Sequence, residues 1–281
     1  MSMFENLGKN RDQFSQGGFG ENFIKFPKEG VLAVRILPSG KNAEFYQSTR
    51  VHKLNSKNIH CPQVYNEAKS RWEGNCPICT YLRTLWPLSE KSAPDIKEQL
   101  QNTYRAWKAK PRFYLNAIVR SETDIKTGVT ATNVGPKILS ISKQLFDIIV
   151  DFILTDPLSP EDVTDVNTGK DFLITVLPKG EWPDFSKSKF HPKPSKAGTP
   201  EEIAKWLEDS HDLAALRILL PAEELDRQLK IARGLIPETD DEDGPGDIPN
   251  DPPPKPIDPD SSVGLCEDDF LNALNNTPNN I

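Results

Sequence analysis

The chain has no run approaching the ~18 consecutive apolar residues of a membrane helix. With 36% hydrophobic and 27% charged residues and a mean hydropathy of −0.54, its 281 residues predict a soluble protein of one large or two small domains. The start, MSMFENLGKNRDQF, lacks the basic n-region and apolar h-region of a secretory signal, so export by that route is not expected. Cysteine is scarce: there are four, and their spacing suits a metal site better than two disulfides, which fits a cytoplasmic protein. Enzyme signatures are missing too. His52 is followed by Lys53 and Leu54, and Asn75 precedes Cys76, so the H-x-E and P-C-x-x-C pattern of zinc deaminases is absent. The acids of the body are scattered, without the grouped carboxylates of a metal-dependent nuclease. No internal repeat is found.

What is present is a charge asymmetry. From Leu235 to the end, twelve acids stand against Lys255 alone, a net −11, although the whole chain carries only −7. Residues 1–199 carry about +7. A basic body with an acidic tail is the distribution of a nucleic-acid binder.

The organisation predicted is a Gly-, Asn- and Gln-rich arm (1–25), a body (26–195), a helical extension (199–234) and a disordered acidic tail (235–281). The body's clearest strands are Val31–Leu37, Glu44–Val51, Arg112–Val119, Lys137–Ile141 and Asp171–Leu177. Helical spacing marks Asp95–Lys110 and Ser142–Leu154. The fold class expected is α+β, mainly β: a partly open OB-type barrel with a metal-bearing subdomain at about 50–90 and C-terminal helices. Thr199-Pro200-Glu201-Glu202 reads as a capping box, and a further helix is expected from Pro221 to Arg233, stopped by Gly234. In the tail, acids beside apolar residues (Asp268, Asp269, Phe270, Leu271, Leu274) form a short sticky motif.

Cys76-Pro77-Ile78-Cys79 is a C-x2-C knuckle, and Cys61 with His52 or His60 lies upstream. Together they offer the Cys3His set of one structural zinc ion, closed to substrate because all four positions are filled. A redox pair is the weaker reading, since no thioredoxin-like βαβ pattern surrounds the knuckle. Aromatics also interleave with bases: Tyr46 near Arg50, Trp72 beside Arg71, Tyr81 near Arg83. Tyr104, Arg105, Trp107, Lys108, Lys110, Arg112, Phe113 and Tyr114 then follow within eleven residues. Lys137, Trp182, Phe185, Lys187 and Lys189 come later. Cations that neutralise phosphates and rings that stack on bases are how single strands are held.

These segments (VLAVRILPS, the ligands with NCPIC, KAKPRFYLNAIV, GPKILSISKQLFDII and DFLITVLPKGEWPDFSKSKF) resemble, in order, the T-even-type phage single-stranded DNA-binding, or helix-destabilising, protein family. The resemblance spans about Val31 to Lys189, and the tail by character. It implies an OB barrel with a zinc subdomain that binds single strands without sequence choice in replication, recombination and repair, in the cytoplasm of an infected bacterium. By motif it makes His52 the zinc-binding histidine, with His60 its competitor, and places Phe113, Tyr114, Trp182 and Phe185, with Lys187 and Lys189, at the DNA. The tail would meet replication and recombination proteins. It also implies self-association along the strand, although this arm has only Lys9 and Arg11 where the family has a basic cluster. The rival classes are a zinc-ribbon nuclease-like enzyme and a replication scaffold.

Overall fold

The computed structural model describes residues 22–123, 130–155, 161–180 and 182–237. The chain divides into two units, Met1–Pro249 and Asn250–Ile281, and the second lies wholly outside the described residues. In chain order the first unit runs β1 (Gly30–Ile36), β2 (Tyr46–Leu54), β3 (Lys57–His60), β4 (Val64–Asn66), β5 (Arg71–Glu73), α1 (Pro77–Glu90) and α2 (Pro94–Trp107). There follow β6 (Lys110–Thr123), β7 (Thr130–Ser142), α3 (Lys143–Ile153), β8 (Phe172–Lys179), β9 (Trp182–Asp184), β10 (Lys189–Phe190), α4 (Pro200–Glu208) and α5 (Ala222–Ala232). The five strands expected from the sequence are all present, as β1, β2, β6, β7 and β8.

The main sheet has the order β10-β8-β1-β6-β2-β3, with β7 on β6 and β9 on β8, and β4–β5 forms a separate hairpin. All these pairings are antiparallel. Strand β6 organises the sheet. One edge pairs first with β2, at Lys110–Leu115, and then with β1, at Ala117–Val119; the other edge carries β7.

Side chains alternate along β6, and both of its faces are covered. Leu115, Ala117 and Val119 enter the main core with Val34, Ile36, Leu139, Ile141, Phe172 and Ile174, closed by Leu145 and Ile149 of α3. On the opposite face Tyr114 packs with Phe23, Leu213 and Leu216, and Ile118 with Ala197 and Trp206. Between them Asn116 behaves like a strand backbone: its Nδ2 donates to the His211 carbonyl at 2.9 Å, and its Oδ1 accepts from the His211 N–H at 3.0 Å. Asn42 adds a second clamp, donating to the His211 carbonyl and accepting from the Leu213 N–H. Residues 195–217 thus lie as a strap over the second face. Fully buried Arg35 ties the same strap down, donating to Asp171 Oδ1 (2.8 Å) and the Ser195 carbonyl (2.9 Å).

A second core surrounds the cysteines. Helix α1 buries Ile78, Leu82 and Leu85, spaced i, i+4, i+7, against Leu54, Ile59, Leu100 of α2, and Leu225 and Leu229 of α5. The sequence reading assigned no helix here. Its start is written in Cys76 as N-cap and Pro77 at the first position. The capping box at Thr199 forms, with Glu202 reaching back to the Thr199 N–H. Helix α5 ends in a Schellman motif, with Gly234 at φ 71° and Leu235 N–H donating to the Lys230 carbonyl. Phe23 and Ile24, placed in the arm by the sequence reading, are buried, and the Ile24 N–H bonds the Ile138 carbonyl at 2.9 Å. The packed body therefore begins before Phe26. The proposed tail lies outside the described residues from position 238, and the proposed arm up to position 21.

Asn116→Ala removes both side-chain bonds to His211 and leaves the part-buried His211 N–H without that acceptor. Urea denaturation should show the variant less stable by about 1–3 kcal/mol.

Candidate functional site

Strand β2, the residue after β3 and the start of α1 bring His52, Cys61, Cys76 and Cys79 together, with ligand atoms all within 4.8 Å of one another. Cys61 Sγ and Cys79 Sγ are 3.7 Å apart, far beyond a disulfide bond, and His52 Nε2 lies 3.5 Å from the sulfurs of Cys76 and Cys79. A tetrahedral ion bound at zinc-like lengths would set sulfur–sulfur edges of about 3.8 Å and sulfur–nitrogen edges of about 3.6 Å. The four residues therefore fit one metal ion.

The surroundings support that use. His52 Nδ1 lies 2.8 Å from the Trp107 carbonyl, to which its N–H donates, leaving Nε2 as the ligand atom. The Cys79 N–H donates to Cys76 Sγ at the helix start, where backbone amides favour a thiolate. Burial opposes the His52 cation, yet Cys61, Cys76 and the Trp107 carbonyl carry its protonation up to about 9. Hydrogen bonds from Cys76 and Cys79 hold the Cys61 thiol far below its ordinary range, while Cys61 and Cys76 push the Cys79 thiol far above its own. One thiolate forms readily and the next is opposed. A bound cation relieves that opposition.

His60 stands apart from the quartet. Its Nδ1 contacts Thr49 Oγ1 at 3.1 Å, its buried Nε2 has no partner among the described residues, and burial pushes its protonation down to about 4.

Beside the metal corner lies a groove of about 810 Å³. The hairpin β4–β5 forms one wall with Arg71, Trp72 and Glu73. The other wall carries Arg50 from β2, Arg83 from α1, and Tyr104 and Lys108 from α2 and its end. Four cations and two rings thus face a space in which Glu73 is the sole acid among the described residues. The Arg50 guanidinium lies 4.4 Å over the Trp72 ring and donates to the Ala109 carbonyl. Trp72, 40% exposed, pairs across the hairpin with Tyr65 at 5.3 Å, leaving ring surface open to a ligand. Glu73 accepts from Lys69, Arg71 and Asn66, which hold its carboxyl below the usual range.

Of the residues named in the sequence reading, the groove gathers Arg50, Arg71, Trp72, Arg83, Tyr104 and Lys108. Tyr46 and Phe113 are half-buried in a separate ring cluster, Phe113 lying face to face on Phe146 at 3.8 Å. Tyr81 and Trp107 are half-buried in the metal subdomain, with Arg233 over the Tyr81 ring. Arg105 is exposed on α2 and bonds Asn102 and Gln101. Lys110 and Arg112 begin β6, and Lys137 lies on β7. Tyr114 and Phe185, at 1% and 7% exposure, are packed in the cores rather than presented to a ligand: Tyr114 is covered by the strap, and Phe185 lies beside Phe26. Trp182 is on β9, and Lys187 and exposed Lys189 lie by β10, at the other end of the strand order from β3. Asp268, Asp269, Phe270, Leu271 and Leu274 lie outside the described residues.

The sequence reading named Arg83 only as a base near Tyr81 and passed over Trp86. Both are exposed on α1, and Trp86 packs edge-on against Tyr104 at 5.5 Å. The 3.6-residue period of Ile78, Leu82 and Leu85 would have placed them together on the outer face.

A family model described as gp32 DNA binding protein like matches residues 28–229. A search of curated proteins finds no match.

The metal assignment predicts one bound ion per chain by elemental analysis of the purified protein. His52→Ala or Cys79→Ser should lose it, whereas His60→Ala should keep it. Chelation should speed amide exchange in α1 and the β4–β5 hairpin more than in β6.

Proposed function

Because the chain belongs to the gp32-like DNA-binding protein family, we propose that it coats and protects single-stranded DNA, without sequence choice, in phage DNA replication, recombination and repair. The observation that carries this reading is the groove, where Arg50, Arg71, Arg83 and Lys108 surround Trp72 and Tyr104. Cations alone would suit a duplex equally well. Partly exposed rings set among the cations favour bases that are unpaired, and every base has a face that can stack, so the contact is indifferent to sequence.

The ion is zinc in this reading: three thiolates and one imidazole make a soft, closed set that leaves no position for substrate. Its role is structural, and the protein is a binder rather than an enzyme. The sheet is a partly open OB-type barrel, a reading favoured by a long β6 that serves β2 and β1 on one edge and β7 on the other. Half-buried Tyr46 and Phe113 and the Trp182–Lys189 region extend the path of the strand. The net −11 of the tail makes it a competitor for the basic groove. Its Asp268–Leu274 motif, released when DNA binds, would engage replication or recombination proteins in the host cytoplasm, and copies would self-associate along the strand.

Titration with fluorescent poly-dT at several salt concentrations tests the reading. Affinity should fall by about 0.7 log unit per phosphate contact for each tenfold rise in salt. Trp72→Ala and Tyr104→Ala should each weaken binding by about 1–3 kcal/mol, while Tyr114→Ala should act on stability. Equal affinity for duplex, or a flat salt response, would contradict the proposal, and magnesium-dependent degradation of the oligonucleotide would favour a nuclease.

Removing residues 238–281 should raise affinity at low salt. Identical affinities of the full and shortened chains would refute the competitor role.

A further inference from the structure

The cations of the groove are not equally available. Among the described residues Arg83 and Lys108 make no ion pair, and Arg50 is turned onto Trp72. Arg71 differs. Its Nε and one terminal nitrogen both reach Glu73 Oε1 at 2.8 Å, and Lys69 Nζ sits 3.0 and 3.2 Å from the two carboxylate oxygens. That edge of a guanidinium is one with which arginine grips a phosphate. One edge cannot serve a carboxylate and a phosphate together.

We propose that Glu73 is a built-in phosphate mimic, occupying Arg71 and Lys69 in the free protein and surrendering them to a strand's phosphate on binding. The inference rests on the single-strand reading above and adds a residue that limits affinity from within the groove. All the partners concerned lie on one hairpin, spanning Asn66 to Glu73. The exchange therefore needs only side-chain movement. Asn66 Nδ2 donates to Glu73 Oε2 at 2.8 Å, which keeps the carboxylate at its post whether or not the two cations leave it. A loosely held acid elsewhere would repel a strand only at long range. Glu73 competes for the same donors.

The test is Glu73→Gln, which removes the charge while its amide oxygen can still accept from Asn66, so that bond across the turn is retained. Glu67→Gln is the control: it makes the same charge change on the same hairpin, from a carboxylate with no ion pair among the described residues. In titrations of the full-length protein with poly-dT at low salt, Glu73→Gln should bind about 3- to 10-fold tighter, the scale of one charged pair at an exposed interface. Its salt dependence should steepen by about 0.7 log unit per tenfold, because no carboxylate is left to take up a counterion when the two cations turn to the strand. Glu67→Gln should stay close to the unaltered protein. Arg71→Ala should cost more affinity in the Glu73→Gln background than alone, because only there does the guanidinium meet a phosphate without first leaving a carboxylate. Equal effects of the two glutamine variants would overturn the inference, as would weaker binding by Glu73→Gln, which would make Glu73 a residue that positions Arg71. No binding by the unaltered protein overturns the single-strand reading and this inference with it; binding that Glu73→Gln leaves unchanged overturns the inference alone.

Discussion

Three thiols and an imidazole converge within 4.8 Å, and the walls of the groove hang on that convergence. His52 belongs to β2, which also supplies Arg50; Cys76 and Cys79 begin α1, which supplies Arg83; Cys61 leads into the hairpin that supplies Arg71 and Trp72. The electrostatics of the quartet are unfavourable by themselves. Cys61 is held ionised by hydrogen bonds from Cys76 and Cys79, whereas hydrogen bonds to Cys61 and Cys76, then burial and the neighbouring negative charge, oppose ionisation of Cys79. An ion that satisfies all four ligands at once converts that opposition into a fixed junction of three chain segments.

The second constraint is the double burial of β6. A strand covered on one face needs only alternating apolar residues, whereas this one presents Tyr114, Asn116, Ile118 and Arg120 to a strap almost a hundred residues further along. Polar positions on that face are used to bind the strap's backbone. Asn116 and Asn42 hold the His211–Leu213 segment by donor and acceptor pairs that imitate a ladder, and Arg120 reaches the carbonyls of Lys196 and Ala197. The sheet is thereby sealed on a side where the sequence shows no continuous apolar stripe.

Much of this was legible in the sequence, and the limits were physical. The five long strands, the helices after Thr199 and the ligand quartet rest on local signals: β-branched runs, a capping box, a C-x2-C knuckle. Helix α1 was missed because its first turn coincides with the knuckle, so Pro77 and the cysteines read as a loop while the period of Ile78, Leu82 and Leu85 went unused. Strands β4 and β5 have three residues each, too few to show a period. Tyr114 was read as a ligand-facing ring because it follows a run of cations. Nothing within reach of a local window foretells Leu213 and Leu216 lying over it. The groove itself joins positions 50, 72, 83, 104 and 108, and only the fold makes them neighbours.

The hairpin shows how the metal corner and the groove depend on each other. A two-stranded sheet of three-residue strands is not stable alone in water, and here Val64, Tyr65 and Trp72 are all exposed rather than gathered into a core. Two features hold it. One is internal: Glu73 joins Asn66, Lys69 and Arg71 across the turn. The other is the pair of cysteines that bracket it, Cys61 before and Cys76 after, whose ligand atoms lie within 4.8 Å of each other, so that an ion bound there would close residues 62–75 into a loop and remove the entropy of its open forms. An exposed aromatic wall can then be kept in place without being buried, which is the condition for its rings to remain available to a base. Loss of the ion would free this wall first and leave the doubly buried β6 sheet, whose cores do not include the cysteines, standing.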